Sequence, residues 1–330
     1  MPTVTTADID RMTTALFLAE GDSAAKRSKF WILLVLAAII ATAGVIADST
    51  ATVIGAMIVA PLMTPIIGAA LAIVLADRTN AVRSALLVLL GAACVVAIAF
   101  LLGLVIQIPV VAEGNAQVAA RVSPRLIDLI AALATGAVGA FALCREDVSD
   151  TLPGVAIAIS LVPPLAVVGL TLESGEPSQA LGALLLFGTN VAAIIAMGTL
   201  VLLIYRVRDT ATAAGRAVGQ LHGLTLAIVA AMLVLVAVPL GIGSYQVYQQ
   251  EQIKRRATPV ANEWAEASGW LVTDVSYRQG LLRIIALGPP PQLDEKQLRR
   301  QLDDAGLEDV DARVTLVVGG ARDLPSRSPR

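Results

Sequence analysis

Charge is scarce in this chain. Only 15% of its 330 residues are Asp, Glu, Lys or Arg, 56% are hydrophobic, and mean hydropathy is +0.77. A soluble domain cannot hide that much apolar surface, so the composition reads as a polytopic membrane protein. The net charge of −2 excludes the basic footprint of a nucleic-acid binder. The two cysteines, Cys94 and Cys144, are too few for a disulfide framework or a zinc site. Lysine is rarer still, 4 against 20 arginines, which points to a GC-rich bacterial genome. GxSxG, Walker, HExxH, CxxC and Rossmann patterns are all missing, and TGAVG around Gly136 and Gly139 follows no strand. Neither an enzyme nor a cofactor is therefore expected. The first apolar run starts at Phe30 and further runs follow it, unlike a cleavable signal.

What is present is a series of apolar segments: Phe30–Ala47, Thr52–Ala76, Ala81–Ile108, Leu126–Cys144, Thr151–Leu172, Ala180–Tyr205 and Leu221–Tyr245. Each approaches or exceeds the ~20 residues that a helix needs to cross the hydrocarbon core. Residues 1–29 are a polar lead-in with a short amphipathic helix, Ile9, Met12, Leu16 and Phe17 near one face, expected to anchor at the headgroups. Residues 30–247 form the transmembrane domain. Residues 250–320 are different material and read as a small α-β-β-α-β soluble domain: helix Pro259–Ser268, strands Trp270–Tyr277 and Leu281–Leu287, amphipathic helix Asp294–Ala305, strand Val310–Val318. Residues 321–330 read as a disordered tail. The fold class is thus an α-helical polytopic membrane protein with a small C-terminal α+β domain.

With seven crossings and the N-terminus inside, Arg11, Lys26, Arg27, Lys29, Arg78, Arg83, Arg145, Arg206, Arg208 and Arg216 fall inside, and only Arg121 and Arg125 outside. The cluster Lys254, Arg255 and Arg256 argues the other way. The expectation is a multi-pass protein of the cell membrane with a cytoplasmic N-terminus.

The stretch GAMIVAPLMTPIIGAAL, Gly55–Leu71, poses a question. Pro61 and Pro65 break a helix where no water repairs the lost hydrogen bonds. A shift of 99 residues answers it with a second copy. Asp48 lands on Asp147, Thr50 on Ser149, Thr52 on Thr151, Gly55 on Gly154, Ile58 on Ile157, Leu62 on Leu161, Pro65 on Pro164 and Leu71 on Leu170. Seven of the 24 positions from 48 to 71 are identical, and Asp77 lands on Glu176. The second copy has its own prolines, Pro163 and Pro164. The pattern reads as two three-helix repeats, 30–108 and 126–205, plus an extra helix 221–245. Three crossings per unit would invert one copy relative to the other. If the broken segments re-enter instead of crossing, the copies are parallel. Paired Gly/Pro-interrupted segments are the sequence pointer to a transporter site between repeats.

Each candidate residue has two readings. Asp48 and Asp147 are a cation-binding or proton-relaying pair, or interfacial helix caps. Thr64 and Ser160 contact a solute, or satisfy backbone groups freed by the break. Asn190, beside Thr189, lines a site or bonds a neighbouring helix. Gly55, Pro61, Pro65, Gly154, Pro163 and Pro164 are the break itself. Asp128 near Arg125 reads as an interfacial ion pair, Arg145-Glu146-Asp147 as a solvated turn, and the lone His222 as an interface residue.

The stretch Ala51–Ile73, ATVIGAMIVAPLMTPIIGAALAI, resembles the signature of the membrane family catalogued as domain of unknown function 389. LPGVAIAISLVPPLAVVG, Leu152–Gly169, resembles its second stretch, and the resemblance covers roughly residues 30–205. It implies a polytopic bacterial or archaeal membrane protein with no assigned activity, and it carries over no site residue. The residues themselves favour a transporter or channel for a small solute or ion, with a cation suited to Asp48 and Asp147, in a homo-oligomer embedded in the bilayer. The alternative is a membrane sensor whose C-terminal domain binds a ligand.

Overall fold

The structure, a computed structural model, describes residues 4–18, 22–145, 161–215, 249, 252–267, 269–278, 281–288 and 295–318. Asp147, Gly154, Ser160, His222, the segment 221–245 and the tail 321–330 lie outside the described residues. Two compact units divide the chain, Met1–Gly243 and Ser244–Arg330.

The first unit is helical: α1 (Thr6–Leu16), α2 (Ser23–Ile46), α3 (Thr50–Val59), α4 (Met63–Val74), α5 (Arg78–Ile106), α6 (Ala116–Ala119), α7 (Leu126–Cys144), α8 (Val162–Glu173), α9 (Pro177–Ile204) and α10 (Val207–Ala213). Among the described helices, α2, α5, α7 and α9 are long and apolar enough to cross a membrane. The pair α3–α4, bent by 48°, makes a fifth candidate. The chain is thus a membrane protein by its apolar helices.

Local chemistry sets the ends. Asp22 caps α2 through the Ala25 N–H, Ser49 caps α3 through that of Thr52, and Asp77 caps α5 through that of Asn80. The cap at Asp22 is why α2 starts before Phe30, where hydropathy alone begins it. After α4 and α8 the chain turns left-handed, at Ala76 and Gly175. The N–H groups of Ala76 and Asp77 return to the carbonyls of Ile73 and Ala72, and those of Gly175 and Glu176 to Leu172 and Thr171. Both are Schellman closures. The four residues involved in the first stand 99 positions before those in the second. Helix bounds follow the same offset. Moved by 99, Met63–Val74 falls on 162–173, which are the bounds of α8.

Side-chain bonds give each helix its direction. The loop 107–125 joins the ends of several helices: Ser174 accepts from the Val110 N–H, Gln179 from that of Ala112 and Asp48 from that of Gln117, while the Asn115 amide donates to the Val45 carbonyl. The C-terminal ends of α2, α5 and α8 therefore share one end of the bundle with the start of α9. At the other end, Arg11 donates to Leu143 and Arg208 to Val74. That end gathers the termini of α4, α7 and α9. So α3–α4 runs fully from one end to the other.

The amphipathic face of α1 meets protein. Ile9, Met12, Leu16 and Phe17 are all buried, and α1 packs on α4, α7 and α10.

The second unit has a helix, α11, at residues 252–266, then β1 (Leu271–Arg278), β2 (Leu281–Gly288), α12 (Glu295–Asp304) and β3 (Asp311–Val318). The sheet order is β1-β2-β3, with β1–β2 antiparallel and β2–β3 parallel. Helix α12 supplies the crossover that a parallel pair requires. Trp264, Trp270, Leu282, Ile284, Leu298 and Leu302 share the core.

Candidate functional site at two helix breaks

The first break is built from proline chemistry. Helix α3 ends as the Ala60 N–H bonds the Ala56 carbonyl, and Ala60 itself turns extended. Pro61 has no N–H to continue the ladder, and it forces the preceding residue out of the helical region. Backbone bonding resumes with the Thr64 N–H on the Pro61 carbonyl, at 3.2 Å. Pro65 then sits in the first turn of α4, where a missing N–H costs nothing. The result is two short helices with their facing ends unwound.

In the second copy, α8 starts the same way. Pro163 and Pro164 occupy its first turn, after Leu161. The chain before it, which holds Gly154 and Ser160, lies outside the described residues.

Both short helices are enclosed on every side. Every residue from Pro65 to Ala72 is buried, as is every residue from Val162 to Thr171. A helix that is apolar all round belongs in the middle of a bundle. Glycines allow the approach. A Cβ on Gly169 would stand 2.4 Å from the Val96 carbonyl oxygen and 2.6 Å from Ala99 Cβ. One on Gly198 would touch Ile67 and Ala70 of α4, and one on Gly136 would meet the Ile194 carbonyl of α9 at 2.7 Å. The TGAVG run is thus a helix-crossing surface.

These contacts set the depth of the breaks. Leu62 reaches Gly91, midway along α5. Gly169 lies beside Val96–Phe100, and Glu173 beside Gly103, so α8 follows the second half of α5. Its N-terminus falls about 10 Å behind Gly169, at 1.5 Å per residue. Helix α4 follows the second half of α9 in the same manner. Both short helices therefore begin near mid-depth and run to opposite ends. Each brings the partial positive charge of a helix N-terminus to that level.

The candidate residues separate into groups. Pro65, Pro163, Pro164 and Asn190 are buried, and Pro61, Thr64 and Gly55 are half-buried. A Cβ on Gly55 would meet no atom within 4 Å. Asp48 is elsewhere, at the bundle end that holds the loop 107–125. It is exposed, left-handed at φ 50, and its carboxylate accepts the Gln117 N–H at 3.0 Å. About 15 Å of helix α3 separates it from Pro61. Asp128 pairs with Arg125 at 3.8 Å, with both side chains partly exposed. Sequence reasoning missed the loop contacts of Asn115 and Gln117, because a polar loop residue carries no periodic signal.

Residues 57–196 match the family model described as "Domain of unknown function (DUF389)". An uncharacterised protein of Methanocaldococcus jannaschii, MJ0678, is 34% identical over 163 residues, which are 49% of this chain and 50% of that protein. The chain thus spans about half the length of the curated relative it matches. No solved structure matches it.

Proposed function

We propose, from the premise that residues 57–196 belong to this family of unknown function, that the chain is a transporter or channel for a small solute or ion. Its path passes the two helix breaks. One observation carries the reading: two short helices, buried on every face, begin at mid-depth behind prolines and diverge to opposite ends. Unwound backbone inside a membrane is tolerated where protein buries it or where it lines a wet cavity. Such paired discontinuous helices are where secondary transporters bind their cargo.

The core is an inverted duplication of a three-helix unit. The shared 99-residue offset of helix bounds and closures supports this, as does reciprocal packing: α5 lies on α8, and α9 on α4. In the first repeat α2 runs toward the loop 107–125, and its counterpart in the second, α7, runs away from it. The arginine-rich end, with Arg11, Arg27, Arg78, Arg83 and Arg208, is cytoplasmic by the positive-inside rule. Thr64, Ser160 and Asn190 supply polar groups to the path, around Gly55, Pro61, Pro65, Gly154, Pro163 and Pro164. Asp48 is a loop anchor, and Asp147 is its counterpart 99 positions on in the sequence.

Helix N-termini favour an anion, whereas the sequence pair Asp48 and Asp147 raises the expectation of a cation, so the test covers both signs. The protein is reconstituted in liposomes, and charge movement is recorded on a solid-supported membrane after jumps in H⁺, Na⁺, K⁺ and simple anions. A current is expected in the parent, lost in Pro61→Ala/Pro65→Ala and kept in Asp48→Asn. A current indifferent to the proline pair would remove the breaks from the path.

A further inference from the structure

A groove of about 380 Å³ opens at the arginine-rich end of the first unit, between the end of α1 and the first turns of α2 and α5. That size falls within the ~300–1,000 Å³ of small-molecule sites. Its polar rim holds Arg27, Arg83 and Asn80, and its apolar wall holds Phe17, Leu86 and Leu90. The two arginines stand on different helices, each within the first two turns, and both are exposed. Arg27 uses its Nε on the Ser23 carbonyl, and among the described residues neither guanidinium has a carboxylate within ion-pair distance. The carboxylates that begin these helices are already engaged: Asp22 caps α2, and Asp77 holds the Asn80 backbone and side-chain amides. Two cations with no ion-pair partner among the described residues therefore face a groove whose wall turns apolar one to two helical turns deeper. Leu86 and Leu90 are 51% and 56% exposed there.

We infer that this groove binds one anionic phospholipid of the arginine-side leaflet. The phosphodiester sits between Arg27 and Arg83, with the Asn80 amide beside it, and an acyl chain lies along Leu86 and Leu90. Guanidinium forks suit phosphate oxygens, and basic pockets between helices at this level suit acidic headgroups. A free phosphate would satisfy the rim and leave the leucine wall without a partner. The combination of rim and wall selects the lipid. Because α1 forms one side of the groove through Leu16 and Phe17, the bound lipid also ties α1 to α5.

The test is native mass spectrometry of the full-length protein released from micelles containing equal amounts of phosphatidylglycerol and phosphatidylcholine. Phosphatidylglycerol is expected to be retained over phosphatidylcholine by roughly tenfold or more, the preference that two surface cations provide. The preference should vanish in Arg27→Gln/Arg83→Gln and persist in large part in Arg27→Lys/Arg83→Lys. Leu90→Trp keeps both charges, fills the wall, and should also lower retention. All variants should match the thermal unfolding of the parent in phosphatidylcholine alone. Equal retention of the two lipids overturns the proposal, as does a preference that survives the glutamine pair or one that inorganic phosphate abolishes.

Discussion

At the scale of single residues, the turns after the long segments are the most informative. Ala76 sits at φ 53, where a Cβ crowds the following carbonyl; its counterpart 99 positions on is Gly175, at φ 77. A left-handed alanine costs roughly 1–2 kcal/mol, which glycine avoids. Ala76→Gly is expected to stabilise the protein by about 1 kcal/mol, read as a higher thermal midpoint in detergent. The opposite holds at Gly169. Its added methyl would overlap the α5 backbone, which cannot step aside as a side chain can. Gly169→Ala should destabilise by roughly 1–3 kcal/mol in the same assay. Asp48 illustrates how one residue type serves either reading. Aspartate is tolerated in the left-handed region, and its carboxylate reaches a backbone N–H of the loop. A membrane aspartate signals function only at a depth where water cannot reach it.

At the scale of elements, α1 combines a capping box with a buried stripe. Thr5 and Asp8 exchange hydrogen bonds, and Arg11 pairs with Asp8 at 3.0 Å. The Thr5 hydroxyl, then its backbone N–H, hold the Asp8 carboxyl below its usual range, with Arg11 adding to them and partial burial opposing. A lowered value means that the folded state prefers the charged form. Its contribution is present above the unfolded-state value and fades as pH falls through the lowered one. The protection factors of residues 4–18, corrected for the intrinsic exchange rate at each pH, should therefore fall as pH drops through and below the ordinary carboxylate range. In Asp8→Asn that fall should be absent, with protection already lower at neutral pH. The broken helix α3–α4 shows the same economy at larger cost. Its prolines are legible in the sequence as a break, but the 48° bend and the crossing from end to end are set by what packs around them.

At the scale of the molecule, two units divide the work. The residues from Ser244 on have their own apolar core, centred on Trp264 and Trp270. A fragment of residues 244–330 is expected to fold alone, with a mixed helix and strand circular dichroism spectrum and a cooperative melt. A non-cooperative melt would make the unit dependent on the remainder of the chain. Within the first unit, sidedness follows from the loop contacts. A cysteine at Gly114, in the loop 107–125, and one at Arg206 should be labelled by a membrane-impermeant reagent from opposite sides. Labelling of both from one side would dismiss the proposed crossing pattern.

Sequence by itself determined the membrane class, the bounds of α5, α7 and α9 to within a few residues, the order of the small α+β unit and the position of the break between α3 and α4. Each rests on a local rule: hydropathy sustained over ~20 residues, period-two alternation, or a proline without an N–H. It also held the 99-residue offset, because a repeated turn needs repeated residues. Tertiary structure alone decided that α4 and α8 are enclosed. Pro65–Ala72 and Val162–Thr171 are no more apolar than the lipid-facing face of α5, yet they are surrounded. It alone turned the face of α1 toward protein and Asp48 toward a loop. In a chain this apolar, lipid and protein attract a side chain almost equally, so composition does not separate the lipid-facing surface from the core. Close packing does, through small residues placed where one backbone meets another.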